Sequence, residues 1–222
     1  MTPTVGDWYL LFFTLLISGA AVLLSTPPAV ALARWSSRRK GFGVSLIESI
    51  VTLPLALPPV AVGIFLLKLL SQDGPFGKIL QSINWEVAFT WRGVLVALFV
   101  MSFPLTYRPI RAAFDNLDPQ FSKLSRSLGR SPFRTFLSVE IPLSRDGIIA
   151  GVFLGWARAL GEFGCTIILA GNIVGETRTV SLAIFHRFQM GNDWAALRLA
   201  LLTAVMTIIL VWLSNYFQGN TA

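Results

Sequence analysis

Two charged residues, Arg158 and Glu162, interrupt an otherwise apolar run between Gly147 and Gly175. Their four-residue spacing places them on one side of a helix, where a guanidinium and a carboxylate can pair. An unpaired charge in the middle of a bilayer costs at least about 2.5–3.5 kcal/mol, so each needs a partner. A structural pair, part of a gate and a proton relay all fit. Because the other apolar runs hold almost no titratable groups, we favour a structural or gating pair.

Three prolines, Pro54, Pro58 and Pro59, lie in a second apolar run, from Ser49 to Leu67. Each removes a backbone hydrogen bond, so a helix here must kink or partly unwind. Irregular backbone at membrane depth is tolerated where it is buried in protein or lines a wet cavity. The prolines therefore predict either a pore wall or gate, or a packing kink.

The composition indicates a membrane protein. Hydrophobic residues make up 54% of the chain and charged residues 13%, about half the charged share of a soluble domain. The net charge is +7, but the basic residues fall in short gaps between apolar runs, where membrane orientation explains them better than nucleic-acid binding. One cysteine, Cys165, excludes an internal disulfide, and one histidine, His186, lacks partners for a metal site.

Five apolar runs approach the length of about 20 helical residues that a bilayer requires. The predicted spans are residues 9–33, 46–70, 92–110, 146–171 and 196–217. No Lys or Arg precedes Tyr9, so the first run is expected to be a retained anchor and not a cleaved signal. The basic cluster from Arg34 to Lys40 favours the cytoplasm, which places the N-terminus outside and the C-terminus inside. We predict an all-α membrane protein, a five-span helical bundle in a single domain, 1–222.

Residues 115–145 then form a cytoplasmic region with two short predicted helices. The first starts at Asp118, an N-cap acid before a proline, and ends at Gly129. The second starts at Ser131 and stops at Pro142.

Helical spacing places apolar residues of each helix on one face. The stripes are Phe121, Leu124 and Leu128 in the first helix, and Phe133, Phe136, Leu137 and Ile141 in the second. We expect these faces to lie against the bundle and the basic residues to be exposed. The residues alone leave open whether this surface docks a cytosolic partner or lies on anionic lipid headgroups.

One spacing matches a known signature. Gly129, nine residues and then Val139-Glu140-Ile141-Pro142 resemble the cytoplasmic signature of permease subunits of ABC importers: Glu-Ala-Ala, three residues, Gly, nine residues, Ile-x-Leu-Pro. The Glu-Ala-Ala triplet falls on Lys123-Leu124-Ser125, so a base replaces the acid and we carry over no contact of that acid. The resemblance implies a coupling helix seated in a groove of the ATPase subunit. Its candidate residues are Lys123, Leu124, Ser125, Arg126, Leu128, Gly129, Arg130, Pro132 and Pro142.

Further motifs narrow the family. The stretches LPLALPPVAVG (53–63), FTWRG (89–93), GEFGCTI (161–167) and NIVGETRT (172–179) resemble bacterial molybdate permease subunits. The resemblance runs from about Trp8 to past Arg198 and implies a type I ABC importer permease in the bacterial inner membrane. It implies a pore of two copies of the chain, with ATPase subunits inside that use ATP and Mg²⁺, and a molybdate-binding protein outside. The expected cargo is molybdate and tungstate.

The chain itself has no G-x-x-x-x-G-K-[ST] phosphate loop, so we expect no enzyme activity and no bound cofactor. A tetrahedral dianion must be bound weakly enough to leave, which favours hydroxyl donors over lysines. The pathway and gate candidates are Thr52, Pro54, Pro58, Pro59, Arg158, Glu162, Phe163 and Thr166, with Thr203 and Thr207 as further hydroxyls. Threonines in membrane helices usually bond the backbone of their own helix or a neighbouring one, which is the competing interpretation.

Two other functions remain open at this point. A secondary transporter driven by an ion gradient fits the spans but does not require the basic cytoplasmic helices. An ABC permease for another oxyanion, such as sulfate, is the other alternative, because selection among similar dianions is expected in the separate binding protein. The loop stretch 179–188 is predicted to be a short helix at the outer mouth, where it either docks that protein or lies in the membrane interface.

Overall fold

The computed structural model describes residues 6–219, in which twelve α-helices and one π-helical turn account for all regular structure. The helices are α1 (Asp7–Ser37), α2 (Phe42–Ala56), α3 (Pro59–Leu70), α4 (Pro75–Ser82), α5 (Trp91–Asp115), α6 (Pro119–Ser127), α7 (Pro132–Thr135), α8 (Ile141–Leu143), α9 (Arg145–Leu160), α10 (Gly164–Leu169), α11 (Val180–Gln189) and α12 (Asp193–Gly219). The π-helical turn, Phe136–Glu140, joins α7 to α8.

Within residues 6–219, three helices, α1, α5 and α12, are long and apolar enough to cross a membrane, and they contain the predicted spans 9–33, 92–110 and 196–217. Helix α5 runs on to Asp115, five residues beyond the predicted end of its span at residue 110. A fourth crossing is formed if α2 and α3, which meet at a bend of 113°, count as one span.

The bend between α2 and α3 confirms the break predicted from the prolines. Backbone bonding of α2 ends where the Leu57 N–H donates to the Leu53 carbonyl, at 3.0 Å. Pro58 cannot continue the ladder because it has no N–H, and Pro59 occupies the first position of α3, where a missing donor costs nothing. The run 46–70 is therefore two helices and not one bent helix.

The predicted span 146–171 is also broken, although it contains no proline. Helix α9 ends at Leu160, and α10 starts only at Gly164. Between them, the Glu162 carboxylate accepts a hydrogen bond from the Cys165 N–H at 2.8 Å. A side-chain oxygen thus replaces a backbone carbonyl as the partner of an N–H in the first turn of α10.

Glycines make the contact between α5 and α9. Gly147, Gly151 and Gly155 recur every four residues along α9 and face α5. A Cβ on Gly151 would lie 2.5 Å from the Thr106 carbonyl oxygen, and Cβ atoms on the other two would meet Ala113 and Thr106. The start of α9 lies by the end of α5, so the pair is antiparallel. Small residues at this spacing let membrane helices approach closely.

Helix α1 completes the core on the other side of α5. Ile17, Ala21 and Val22 of α1 pack with Val94 and Leu98 of α5 in one buried cluster. The indole N–H of Trp156, on α9, donates to the Ser18 hydroxyl at 2.9 Å. The bundle of α1, α5 and α9 is the scaffold on which both candidate sites are built.

Candidate functional site

Residues 119–143, from the start of α6 to the end of α8, are called here the basic segment. Its boundaries agree with the predicted caps. The Asp118 carboxylate accepts from the Gln120 N–H at 2.8 Å, and the Ser131 hydroxyl accepts from the Arg134 N–H at 3.3 Å. Gly129, just past α6, has a φ of +80°, the left-handed conformation that glycine adopts without strain.

The predicted stop at Pro142 lies one residue before the observed end of the helical stretch. The chain stays helical through the π-helical turn and α8, and α8 ends at Leu143. Pro142 is the second residue of α8 and follows the π-helical turn directly, and it has no N–H to donate to that turn.

The prediction that the apolar faces pack against the bundle is wrong for most of these residues, although Phe136 does pack on the buried cluster of α1 and α5. Leu124 is 62% exposed, Leu128 74% and Phe133 68%. The side chains that point inward are instead hydroxyls: Ser122, Ser125 and Thr135 are buried. The basic segment therefore presents a surface of mixed character, in which apolar side chains lie beside the exposed cations Lys123, Arg126 and Arg130.

Buried polar groups explain this orientation. The Ser125 and Thr135 hydroxyls hydrogen-bond each other at 3.0 Å and hold α6 against α7. The Ser122 hydroxyl donates to the carboxylate of Glu140, also at 3.0 Å. Glu140 is 1% exposed, and a buried carboxylate requires several partners. Turning the leucines inward would remove these partners.

Glu140 ties the basic segment to the end of α1. It forms ion pairs with Arg34, whose Nε lies 2.7 Å from Oε2, and with Arg38. The guanidinium of Arg34 also lies 4.4 Å from the centre of the Phe136 ring. Burial alone would raise the pKa of Glu140, but the Arg34 hydrogen bond and the two positive charges outweigh it, so the pKa lies below its ordinary value.

Glu140 was missed as a candidate. The available signal was an acid in an otherwise basic stretch, together with Arg34 and Arg38 at a helical spacing of four. Neither pattern alone identifies a partner about 100 residues away in sequence.

A second candidate site lies where the two helix breaks meet. A Cβ on Gly164 would lie 2.9 Å from the Cβ of Pro59, and a Cβ on Gly63 would lie 3.0 Å from the Cys165 carbonyl oxygen. Helix α3 therefore packs against α10 without room for a methyl group. The bend at Pro58 and the turn before α10 form one contact.

Arg158 and Glu162 lie at this contact and form the predicted pair. Arg158 Nη2 lies 2.7 Å from Glu162 Oε2, while Oε1 accepts from the Cys165 N–H. Glu162 is 1% exposed. With both oxygens engaged, its carboxylate anchors the end of α9 to the start of α10.

The predicted hydroxyl candidates separate into two groups. Thr52, Thr203 and Thr207 donate to the carbonyls of the residues four positions earlier, as threonines in membrane helices usually do. Thr166, in α10, is buried, and its hydroxyl has no hydrogen-bond partner within residues 6–219. Phe163 packs on Phe185 of α11, with ring centres 4.9 Å apart. The structure thus groups Pro58, Pro59, Arg158, Glu162, Phe163 and Thr166 near the two breaks.

The end of the molecule opposite the basic segment is formed by α11 and the starts of α1 and α12. Helix α11 confirms the short helix predicted at 179–188. Asp7 forms ion pairs with Arg187 of α11, at 2.6 Å, and with Arg198 of α12. The Val180 N–H donates to the Thr14 hydroxyl at 2.9 Å.

Comparison with known proteins identifies the family. Residues 25–221 match the family described as binding-protein-dependent transport system inner membrane component. The chain is 38% identical to the Escherichia coli K12 molybdenum transport system permease protein ModB over 221 residues, covering 97% of this chain and 95% of the relative. For the Haemophilus influenzae ModB protein, identity is 36%, with 94% and 96% covered. The Salmonella typhimurium sulfate transport system permease protein CysT is 33% identical over 190 residues, 85% of this chain and 69% of the relative.

Solved structures show the same fold. A bacterial alginate ABC transporter matches with a TM-score of 0.69 at 18% identity, covering 92% of this chain and 75% of that one. The methionine ABC transporter MetNI matches with a TM-score of 0.64 at 16% identity, covering 97% and 92%. The chain therefore belongs to the binding-protein-dependent transport system inner membrane components, and it is a multi-pass inner-membrane permease of the ABC importer kind.

Proposed function

We propose that this chain is the permease subunit of an ATP-driven importer of molybdate and tungstate. The substrate assignment rests on the similarity to molybdenum permeases, which extends over nearly the full length of both chains. Similarity to the sulfate permease covers a smaller part of each. Sulfate is accordingly the second candidate substrate.

The proposed topology has five crossings: α1, the pair α2–α3, α5, the pair α9–α10, and α12. The N-terminus lies outside and the C-terminus inside. The basic cluster from Arg34 to Lys40 supports this orientation, since it lies at the same end of the molecule as the basic segment. Asp7 and Arg198, at the starts of α1 and α12, pair at the other end.

The basic segment is the proposed docking site for a cytosolic ATPase subunit. Exposed leucine and phenylalanine side chains beside unburied cations are suited to a protein groove with acidic walls. The ATPase subunit would bind ATP and Mg²⁺. Its closure on ATP would draw two basic segments together and reopen the bundle outward.

A second copy of the chain is proposed to complete the pathway. Within residues 6–219, α2 has no buried residue, and Phe42 and Ile50 are largely exposed along it. A neighbouring copy would cover one face of α2 and leave another to line the passage. The contact between the two helix breaks, with Thr166, is the proposed gate, and a binding protein would dock outside, near α11.

The test is reconstitution in liposomes of the chain with its ATPase subunit, with the binding protein outside. We expect uptake of labelled molybdate that requires ATP, competes with tungstate and competes weakly with sulfate. Stronger competition by sulfate would favour the second substrate. Robust accumulation by the chain alone would instead identify a secondary transporter and overturn the proposal.

The docking site has its own variant test. Leu124→Asp places a charge on the exposed apolar surface and is expected to release the ATPase subunit during affinity purification. Gln120→Asp, at an exposed position in the first turn of the same helix, is the matched control and should leave the complex intact. Equal ATPase retention in both variants would contradict this docking site.

A further inference from the structure

Helix α1 carries ion-pair clusters of reversed polarity at its two ends. At its start, the carboxylate belongs to α1: Asp7 pairs with Arg187 of α11 and Arg198 of α12. At its end, the arginines belong to α1: Arg34 and Arg38 pair with Glu140 of the basic segment. Each carboxylate holds two arginines, so neither contact is a single exposed pair of the kind that contributes little.

Further contacts reinforce the clusters at both ends. At the outer end, the Thr14 hydroxyl accepts from the Val180 N–H at 2.9 Å, and Leu10 and Leu11 pack with Val180 and Ala183 in one buried cluster. At the inner end, the Arg34 guanidinium stacks over the Phe136 ring. Outer helix α11 and the basic segment are thus each bonded directly to α1.

Between these clusters α1 is an unbroken helix of 31 residues, roughly 45 Å long. It stays helical through Pro27 and Pro28. The hydrogen bonds that these prolines remove belong to the carbonyls of Leu23 and Leu24, which lie on the exposed side of the helix. The buried side, with Ala21, stays packed on α5.

We propose that α1 is the strut through which the position of outer helix α11 controls the position of the basic segment, with Asp7 and Glu140 as positioning residues at its two ends. This inference rests on the proposed function. A displacement of α11 by a docked binding protein moves α1 through Asp7, and α1 moves the basic segment through Glu140. Because the two contacts act in series, releasing either end interrupts the same connection.

The experiment compares Asp7→Asn, Glu140→Gln and the double variant in the complete complex, reconstituted in liposomes with ATPase subunit and binding protein. Two quantities are measured: ATP hydrolysis with and without loaded binding protein, and molybdate uptake per ATP hydrolysed. Each single variant is expected to lose at least about fivefold in uptake per ATP hydrolysed, the usual range for a lost coupling. The double variant should be no worse than the poorer single variant.

Asp115→Asn is the matched control. It removes a carboxylate that pairs with Arg111 at the end of α5, close to the basic segment but not on α1. This variant should keep wild-type uptake per ATP. If Glu140→Gln does not assemble, Arg38→Ala removes only the more exposed of the two arginines and is expected to lower the same ratio.

Three results would overturn the inference: unchanged uptake per ATP in either single variant, losses that multiply in the double variant, or an equal loss in Asp115→Asn. These results can be distinguished from a failure of the proposed function, because in that case the wild-type complex would show no ATP-dependent uptake at all.

Discussion

Replacing Gly151 by alanine tests the packing that positions both candidate sites. The added methyl would lie 2.5 Å from the Thr106 carbonyl oxygen and 3.0 Å from a side-chain carbon of Ile110. Real contacts of a Cβ with such atoms are about 1 Å longer. The obstructing oxygen is backbone in the middle of α5, so it cannot rotate away, and α5 and α9 must separate.

The expected cost follows from overpacking a tight contact by one methyl group, about 1–3 kcal/mol. For a chain of this length each kcal/mol shifts the melting temperature by about 2–4 °C, so Gly151→Ala should melt about 2–12 °C below wild type. The measurement is thermal unfolding in detergent, followed by the fraction that stays monodisperse.

Gly43→Ala is the matched control for this substitution. Gly43 lies in helix α2, and a Cβ there meets nothing within 4 Å inside the chain. Alanine is the better helix former by about 0.5–1 kcal/mol, so this variant should melt at or above the wild-type temperature. Equal melting temperatures for Gly151→Ala and wild type would refute the account of the α5–α9 contact.

Three further substitutions probe the carboxylates and the free hydroxyl. Glu162→Gln removes the charged partner of Arg158, so it should destabilise the chain by about 3 kcal/mol in the same melting assay. It should also reduce uptake without altering the pH dependence of uptake. Uptake that responds to pH in wild type but not in the variant would instead indicate a proton relay. For Glu140, whose pKa lies below its ordinary value of 4.5, the stabilisation is fully present well above that value and is lost as the pH falls through the pKa of the folded state. The melting difference between wild type and Glu140→Gln should therefore stay constant from pH 8 to about 5, and closing of that difference between pH 7 and 6 would contradict the ion-pair assignment. Thr166→Val keeps the shape of a buried side chain whose hydroxyl has no partner within residues 6–219, so the melting temperature should stay the same or rise. Because Thr166 belongs to the proposed gate, uptake should fall severalfold, and unchanged uptake would remove Thr166 from the pathway.

Much of the helical architecture could be predicted from apolar runs and prolines. The prolines indicated the break at Pro58, because each lacks the N–H of the helical ladder. They did not fix its place, since α1 stays helical through Pro27 and Pro28. The break between α9 and α10 could not be predicted in the same way. It depends on a bond from the Glu162 carboxylate to the Cys165 N–H, while the run around it is apolar enough for a continuous helix.

The orientation of the basic segment shows a different limit. An apolar stripe such as Leu124 and Leu128 indicates that a helix has two faces, but not which face turns toward the rest of the chain. That choice is made by Glu140, whose partners Arg34 and Arg38 lie about 100 residues earlier. The pair of Arg158 and Glu162 was predictable from its four-residue spacing, although Glu162 itself lies just beyond the end of α9.

The outward-facing leucines of the basic segment also bear on how the transporter is made. Under the proposed docking, a copy released from the ribosome before it meets its ATPase subunit exposes Leu124, Leu128 and Phe133 to water, the kind of surface that promotes aggregation and recognition by proteases. Synthesis of the two proposed subunits in matched amounts would cover this surface as soon as it forms. A cell that produces the membrane subunit in excess should therefore degrade the surplus.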